Sequence, residues 1–256
     1  MISVVCTYND KETLDKYLLK SLQTQTVKYE LILIDNTKNQ FKSASEALNS
    51  GGNRANGKYI MFVHQDVDLM SNAWLEKSEE ELDKLPNIGI AGVAGMAENA
   101  KGIISNIIHG EPPEPAGGIQ IKYPTTVQTV DECLFIIPKS VFNILKFDNN
   151  LNDRWHLYAV DYSLCSREMG YNIFVLPFSV YHSSKTVMEK NKFMVLMNLG
   201  YLPKTYFPPL KRLLKKHNGH FRKVHTTCGV WNATFPILLQ RYLYFVKESI
   251  KWLLGI

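Results

Sequence analysis

The chain has 256 residues, of which 45% are hydrophobic, 11% aromatic and 21% charged, with a formal net charge of +5. This is the composition of an ordinary globular protein, and it excludes a disordered, collagen-like or mucin-like chain. The four cysteines lie far apart without a Cys-x-x-Cys pair, which favours reduced thiols over a disulfide scaffold. The first residues lack a signal peptide's apolar region, and no run of about 18 apolar residues predicts a membrane-spanning helix. We therefore expect a cytoplasmic protein, free or peripheral at the cytoplasmic face of the membrane.

The first part of the chain alternates between strand and helix patterns. Apolar runs predict strands at residues 2–7, 30–36, 59–63 and 88–93. Apolar residues at helical spacing predict helices at 14–22, 43–48 and 74–85, and the small residues at 49–53 are expected to end the second helix. This order predicts an α/β fold with a mostly parallel, doubly wound sheet flanked by helices. Ligands of such sheets bind beyond the carboxyl ends of the strands, where Asp35 and Asp66 lie.

The middle of the chain, about residues 94–129, is predicted to consist mainly of loops, because residues 111–118 read Glu-Pro-Pro-Glu-Pro-Ala-Gly-Gly. Strand patterns return at 133–137 and 171–177, with a helix pattern at 160–168 between them. Residues 234–256 predict an amphipathic helix, which either covers the core, lies in a membrane interface or mediates a homodimer.

The positive charge is concentrated late in the chain. Between residues 185 and 225 a single acid, Glu189, accompanies ten basic residues, which are Lys185, Lys190, Lys192, Lys204, Lys211, Arg212, Lys215, Lys216, Arg222 and Lys223. Such a run attracts phosphate-rich partners such as a nucleoside diphosphate, an anionic membrane or a nucleic acid, or else forms a solvated face. Nucleic acid is disfavoured, because no recognisable nucleic-acid-binding module accompanies the run.

Acidic and imidazole side chains collect where the predicted strands end. The residues after the third predicted strand are His64, Gln65, Asp66 and Asp68. Alternation along an extended chain would place the histidine and both aspartates on one side. Further along, Asp161 lies near the start of a helix, with a helix cap as its alternative role, and His182 ends a strand. Oxygen ligands at a strand end suit Mg²⁺ or Mn²⁺ bound together with substrate phosphates.

Five segments, in this order along the chain, resemble the family 2 glycosyltransferases, which have the GT-A fold. They are residues 4–9, 33–36, 49–60, 62–67 and 155–161. The His-Gln-Asp-Val and His-Leu-Tyr-x-x-Asp strings are similar to a bacterial branch of that family, and the likeness extends over about residues 2–183. The resemblance implies a GT-A nucleotide-sugar-binding and catalytic domain at residues 1–184. Residues 185–256 would then form a basic, aromatic, helical C-terminal extension.

The resemblance also implies a role for each matching position. The nucleotide pocket would include Thr7, Asn9, Gln65 and Asp35, the last on the base, usually uracil or thymine. A Mn²⁺ or Mg²⁺ ion would be held by Asp66, Asp68 and His182. The catalytic base would be Asp161. The sugar and acceptor side would be lined by Asp131, Glu132, Trp155 and His156.

One position departs from the family's Asp-x-Asp motif, because His64 stands where its first aspartate would be. This change weakens metal binding or shifts it toward Asp68. The implied activity is inverting, metal-dependent transfer of a sugar from a nucleoside diphosphate sugar, with UDP or dTDP as nucleotide. The implied acceptor is a cell-envelope glycan or a lipid-linked molecule, and a lipid-linked acceptor would explain an extension that contacts the membrane.

Other functions remain open from the residues alone. The histidine in the metal motif keeps open a catalytically degenerate sugar-nucleotide-binding or scaffold protein. A nucleotidyltransferase and a dinucleotide oxidoreductase are both disfavoured, because no glycine-rich phosphate loop follows the first strand. A zinc site is disfavoured as well, since the His-x-x-Cys pair at 225–228 has no second pair nearby.

Overall fold

The computed structural model describes residues 1–151, 155–183 and 202–254. Its central sheet has seven strands, in the spatial order β10 (Thr125–Thr126), β13 (Asn172–Val175), β5 (Ile88–Gly92), β12 (Leu134–Pro138), β3 (Tyr59–Val63), β1 (Ile2–Tyr8) and β2 (Glu30–Asp35). Five strands share one direction, whereas β10 and β12 run the opposite way. The mostly parallel α/β sheet predicted from the sequence is therefore confirmed.

Helices cover both faces of this sheet. A first helical segment comprises α1 (Lys11–Leu14), a π-helical turn (Asp15–Leu19) and α2 (Lys20–Leu22). The others are α3 (Ala44–Arg54), α4 (Trp74–Lys84), α5 (Lys139–Ile144), α6 (Tyr158–Glu168), α7 (Phe207–His217) and α8 (Ile237–Leu254). The side chains of the residues before α1 and α3 cap the N-termini of these helices. Asp10 accepts a hydrogen bond from Thr13 N at 3.2 Å, and Ser43 accepts one from Glu46 N at 3.3 Å.

The central strands separate two hydrophobic cores, because successive side chains point to opposite faces of a sheet. In β3, Met61 and Val63 belong to the cluster that contains α4, whereas Ile60 and Phe62 belong to the cluster that contains α3 and α5. All four side chains are buried. Burying each such side chain contributes about 1.5–3 kcal/mol, so both faces hold the strand in register.

The helix after β2 is longer than the sequence predicts. Small residues at 49–53 were expected to end it, but α3 continues to Arg54. The reason is tight packing: a Cβ atom at Gly51 would overlap Val5 of β1, and one at Gly52 would overlap the ring of Phe142 in α5. The two glycines thus let the helix approach the sheet and α5 closely, at the cost of their low helix propensity.

The region predicted as loops contains several short strands. They are β6 (Ala94–Met96), β7 (Ile104–Ser105), β8 (Ile107–His109), β9 (Glu114–Ala116) and β11 (Thr129–Val130). Together with β4 (Val67–Asp68) and β14 (Val180–His182) they form two small sheets, ordered β11-β6-β7 and β4-β14-β8-β9. The antiparallel pairing of β14 with β4 sets His182 opposite Val67, next to the end of β3.

The described part of the C-terminal extension packs against α6. Leu210 and Leu213 of α7 share a buried cluster with Leu157 and Leu164, and Trp231 completes it. The extension was predicted to be helical, but it also contains a hairpin of β15 (Lys223–Thr226) and β16 (Gly229–Asn232). The predicted boundary between residues 184 and 185 lies outside the described residues. Within the described ranges, no helix combines the length and apolar content needed to cross a bilayer.

Candidate active site

A cavity of about 280 Å³ opens at the carboxyl ends of β1 and β3. Its polar lining is formed by Thr7, Tyr8, Asn9, Asn36, Asn39, His64, Gln65, Asp66, Glu132, Trp155 and Tyr158. Two of these residues are acids, Asp66 and Glu132. The cavity lies at the sheet edge that the sequence predicts for a ligand.

The antiparallel direction of β12 explains how Glu132 reaches the same edge. Leu134 near the start of β12 pairs with Val63 at the end of β3, and His64 N donates to Cys133 O at 2.9 Å. The residues just before β12 therefore face the residues just after β3. Two acids that are 66 positions apart in sequence are thereby placed in one cavity wall.

His64, Asp66 and His182 form a cluster whose ligand atoms all lie within 4.8 Å of one another. The Nε2 atom of His182 is 3.3 Å from Asp66 Oδ1. One carboxylate and two imidazoles are donors that a first-row divalent ion such as Mn²⁺ accepts, so the residues fit such an ion. The predicted pair of Asp66 and His182 is brought together, and His64 joins them in place of an aspartate.

The three groups of this cluster alter one another's pKa values. Burial, followed by the nearby His182, lowers the pKa of His64 to about 4. Burial opposes the charge on the other two groups, but their mutual hydrogen bond raises the pKa of His182 and lowers that of Asp66. His64 is therefore a neutral imidazole near pH 7, the form that ligates metals. Its Nε2 atom lies 2.9 Å from the hydroxyl of Tyr158, a neighbour that the sequence analysis did not single out.

Asp68, predicted as a third metal ligand, does not lie in this cluster. The chain turns after β3, with Val67 N donating to His64 O at 3.4 Å, so the alternation expected for an extended strand is interrupted. The Oδ1 atom of Asp68 accepts from Met70 N at 2.7 Å, and the residue does not line the cavity. This position does not support the metal role predicted for Asp68.

Three of the four predicted nucleotide-binding residues line the cavity. The Thr7 hydroxyl is buried without a hydrogen-bond partner in the described structure. The side chain of Gln65 donates to Asn9 Oδ1 at 2.8 Å and accepts from Asn9 N at 2.9 Å, which ties the end of β1 to the turn after β3. The fourth, Asp35, is exposed at the end of β2, where it accepts from Thr37 N at 2.8 Å.

Of the four residues predicted for the sugar and acceptor side, two line the cavity and two do not. Trp155 and Glu132 line the cavity, and Trp155 is 41% exposed at its rim. Asp131 and His156 do not line it. Asp131 Oδ2 accepts from Thr227 Oγ1 of the hairpin at 2.7 Å, and His156 Nε2 lies 3.2 Å from Thr205 Oγ1. Asp131 thus contacts the β15–β16 hairpin, and His156 contacts the segment just before α7.

Glu132 has an unusual environment for a carboxylate. Its Oε1 atom is buried and has no hydrogen-bond partner in the described structure. Burial, and then the charge of Asp131, raise the pKa of Glu132 well above its usual value, while backbone N–H groups at the start of α6 partly offset them. An unpartnered oxygen with a raised proton affinity, in a cavity wall, is typical of a functional group rather than a structural one.

Asp161 does not face the cavity. It is 2% exposed in the first turn of α6, and its carboxylate lies 2.8 Å from His217 Nε2 and 3.0 Å from Lys216 Nζ. Both carboxylate oxygens are already engaged by these two side chains, away from the cavity, so this geometry does not support the predicted role of Asp161 as the base. Through these contacts Asp161 connects α6 to α7. The side chains of Asp161, Cys165 and His217 also lie close enough together to bind a metal ion. Lys216 already supplies a positive charge beside Asp161, however.

Comparison with known proteins extends this description. Residues 3–198, well over half of the chain, match the Glycosyltransferase like family. A mannosyltransferase, PcManGT from Pyrobaculum calidifontis, solved with GDP-Man and Mn²⁺, superposes with a TM-score of 0.55 at 10% identity, covering 86% of this chain and 64% of its own. GalNAc-T7, solved with UDP, GalNAc and Mn²⁺, superposes with a TM-score of 0.59 at 14% identity, covering 85% and 47%.

One curated protein with a different kind of name also matches the sequence. The protein "ATP synthase subunits region ORF 6" of Fuscovulum blasticum is 24% identical over 162 residues, which are 60% of this chain and 63% of that protein. The chain thus spans less than two thirds of each of these three proteins. The two structural likenesses establish the GT-A fold. The chain belongs to the Glycosyltransferase like family and has the GT-A fold, in agreement with the family 2 resemblance of its sequence.

Proposed function

We propose that this chain is an inverting, metal-dependent glycosyltransferase acting on a nucleoside diphosphate sugar, with UDP or dTDP as nucleotide. Its acceptor in this proposal is a cell-envelope glycan or a lipid-linked molecule. The observation that carries the proposal is the composition of the cavity wall. A cluster suited to a divalent ion, His64, Asp66 and His182, shares this wall with two buried polar atoms, Thr7 Oγ1 and Glu132 Oε1. Neither atom has a hydrogen-bond partner among the described residues.

The nucleotide is proposed to bind at the ends of β1, β2 and β3. Thr7, Asn9 and Gln65 line the cavity there, and the hydrogen bonds between Asn9 and Gln65 hold that wall in place. Asp35 contacts the base at the outer edge, beside Tyr8, to which it is hydrogen-bonded. The solved structures support a nucleotide ligand, since PcManGT was solved with GDP-Man and GalNAc-T7 with UDP.

His64, Asp66 and His182 are proposed to hold Mn²⁺ or Mg²⁺. When bound, such an ion neutralises charge that develops on a leaving diphosphate. Two imidazoles among three donors favour Mn²⁺ over Mg²⁺, because Mg²⁺ prefers oxygen ligands. Both of the solved relatives described above were crystallised with Mn²⁺.

The sugar is proposed to lie between the ion-binding cluster and Trp155 at the cavity rim. A partly exposed indole offers a flat apolar face to a sugar ring and orients it. Direct attack by an acceptor hydroxyl, opposite to the leaving diphosphate, inverts the anomeric carbon. The acceptor contacts assigned to Asp131 and His156 remain predictions, since their side chains lie outside the cavity lining.

The extension is proposed to contact an anionic membrane. Lys211 and Lys215 of α7 are exposed, and α8 exposes Leu238 (77%) and Leu243 (52%). Basic side chains combined with exposed apolar ones on a helix suit an interfacial contact. Trp252, near the end of α8, is a further candidate membrane anchor, and its side chain lies outside the described ones.

Vesicle flotation tests this contact. The full chain should float with phosphatidylglycerol vesicles and not with phosphatidylcholine vesicles, and a Leu238→Ser/Leu243→Ser variant should lose binding. Equal flotation of the variant would contradict the membrane proposal. If the wild type sediments as a dimer without lipid and the double variant as a monomer, the same face instead binds a second copy.

A donor screen tests the proposed activity. Release of nucleoside diphosphate from a panel of nucleotide sugars is measured with and without Mn²⁺, for the wild type, Asp66→Asn and Asp68→Asn. We expect Mn²⁺-dependent release that Asp66→Asn abolishes and that Asp68→Asn, a matched change outside the cavity, leaves intact. Mn²⁺-dependent UDP binding in calorimetry without turnover of any donor would instead favour the degenerate binding protein.

A further inference from the structure

We infer that Glu132, rather than Asp161, accepts the proton of the attacking acceptor hydroxyl, an inference that rests on the proposed glycosyl transfer. A general base needs an oxygen that is free to accept a proton and that lies in the space where the acceptor reacts. Asp66, Glu132 and Asp161 differ in both respects.

Among the described residues, two acids line the cavity, Asp66 and Glu132. Asp66 is committed to the cluster with His182, at 3.3 Å, and is the carboxylate expected to bind the ion. Glu132 Oε1 is buried and has no hydrogen-bond partner in the described part of the chain. Asp161 meets neither condition, because it lies outside the lining and its carboxylate is shared by Lys216 and His217. Glu132 is thus the carboxylate in this wall that is free to accept a proton.

The surroundings of Glu132 hold its carboxylate in place without neutralising it. The first turn of α6 directs backbone N–H groups toward it, and the hydroxyl of Tyr158 lies 3.5 Å from its backbone carbonyl. The ionisable groups that face it are Asp131 on its own loop, Tyr158 on α6, Tyr206 beside α7 and Cys228 in the hairpin. All four are acids, so none of them stabilises the anion, and the carboxylate has a high proton affinity.

The chemical step balances with Glu132 in this role. A bond forms between the acceptor oxygen and the anomeric carbon while the bond from that carbon to the diphosphate oxygen breaks. The bonding electron pair leaves with the diphosphate. The proton of the acceptor hydroxyl moves to Glu132 Oε1 and then to solvent when product departs. No oxidant, reductant or further reactant is needed.

Steady-state kinetics of three variants, with the best donor and acceptor found for the wild type, test this inference. Glu132→Gln should lower kcat by about 10²–10⁴-fold, the usual contribution of a general base. Its calorimetric affinity for UDP with Mn²⁺ and its melting temperature should stay near wild type. Glu132→Asp, which keeps a carboxylate, should recover part of the rate. Glu114→Gln, an exposed acid outside the cavity, serves as control.

A pH profile gives a readout that a structural role would not move. Wild-type kcat should fall toward low pH along a limb with a midpoint well above the usual pKa of a glutamate, because a protonated Glu132 cannot accept the hydroxyl proton. Glu132→Asp should keep such a limb, and Glu132→Gln should lose it.

The kinetics and the pH profile together decide whether Glu132 is the base. Wild-type kcat and an unchanged acid limb in Glu132→Gln would overturn the role of Glu132 while leaving glycosyl transfer established. A wild type that turns over no donor would refute the proposed function and this inference with it. If Glu132→Gln fails to fold, Glu132→Asp and Asp161→Asn decide. A reduced rate with a retained acid limb in Glu132→Asp, together with activity in Asp161→Asn, supports Glu132. The absence of any acid limb in the wild type overturns it.

Discussion

Replacing His217 by glutamine tests whether a buried ion cluster holds α7 against α6. The His217 ring is fully buried, with Nε2 2.8 Å from Asp161 and Nδ1 2.6 Å from Glu168. Burial alone would lower the pKa of His217, but its hydrogen bonds, that to Asp161 first among them, raise it to about 10. His217 is therefore a cation in the folded protein at pH 7. Glutamine keeps a hydrogen-bonding group of similar size but removes the charge.

The magnitude follows from the difference between the folded pKa and the ordinary value of 6.5. One pKa unit corresponds to about 1.4 kcal/mol, so a rise to about 10 contributes at most about 5 kcal/mol to the free energy of unfolding. Because the folded pKa is the higher one, this contribution is complete below pH 6.5 and is lost as the pH rises toward 10. Within that window it should fall by up to about 1.4 kcal/mol per pH unit.

Equilibrium urea unfolding of the wild type and His217→Gln at pH 6, 8 and 9.5 measures the effect. The destabilisation of the variant should be largest at pH 6 and should shrink toward pH 9.5. His220→Gln, an exposed change in the same segment, should show a small difference that does not depend on pH. An equal destabilisation of His217→Gln at all three pH values would refute the charged cluster and leave only packing at this position.

Two further substitutions probe the packing of α3 and the support of the ion site. Gly52→Ala should destabilise the protein by about 1–3 kcal/mol in urea unfolding, since the added methyl group would overlap the ring of Phe142, whereas Gly118→Ala, which faces open space, should have little effect. Equal stabilities of these two variants would contradict the close packing. Tyr158→Phe removes the hydroxyl 2.9 Å from His64 and should weaken Mn²⁺ binding by about 10–100-fold in isothermal titration; unchanged affinity would show that this hydrogen bond does not orient the ligand.

Much of the fold is predictable from local patterns. The strands β1, β2, β3 and β5 are runs of apolar residues, and their burial on both faces of the sheet explains why the pattern is nearly continuous. The extent of α3 is not predictable in this way, because Gly51 and Gly52 are locally poor helix formers. Their role depends on side chains of β1 and α5 that approach only in the folded protein.

The candidate site is predictable where neighbouring strands build it. Asp66 and His182 meet because the short strands β4 and β14 pair, a contact that the resemblance implies but that no local pattern shows. The environment of Asp161 depends on Lys216 and His217, more than fifty residues further along the chain and beyond the family match. No spacing in the sequence reveals those partners. Residue type alone therefore could not separate a structural aspartate from a catalytic one.

The central claim is that His64, Asp66 and His182 hold the divalent ion beside the nucleotide. Electron paramagnetic resonance of Mn²⁺, titrated with the full chain in the presence of UDP, tests it most directly. We expect a bound Mn²⁺ signal for the wild type that His64→Ala, Asp66→Asn and His182→Ala each weaken strongly and that Asp68→Asn does not. Undiminished Mn²⁺ binding in Asp66→Asn, or loss of binding only in Asp68→Asn, would contradict the account.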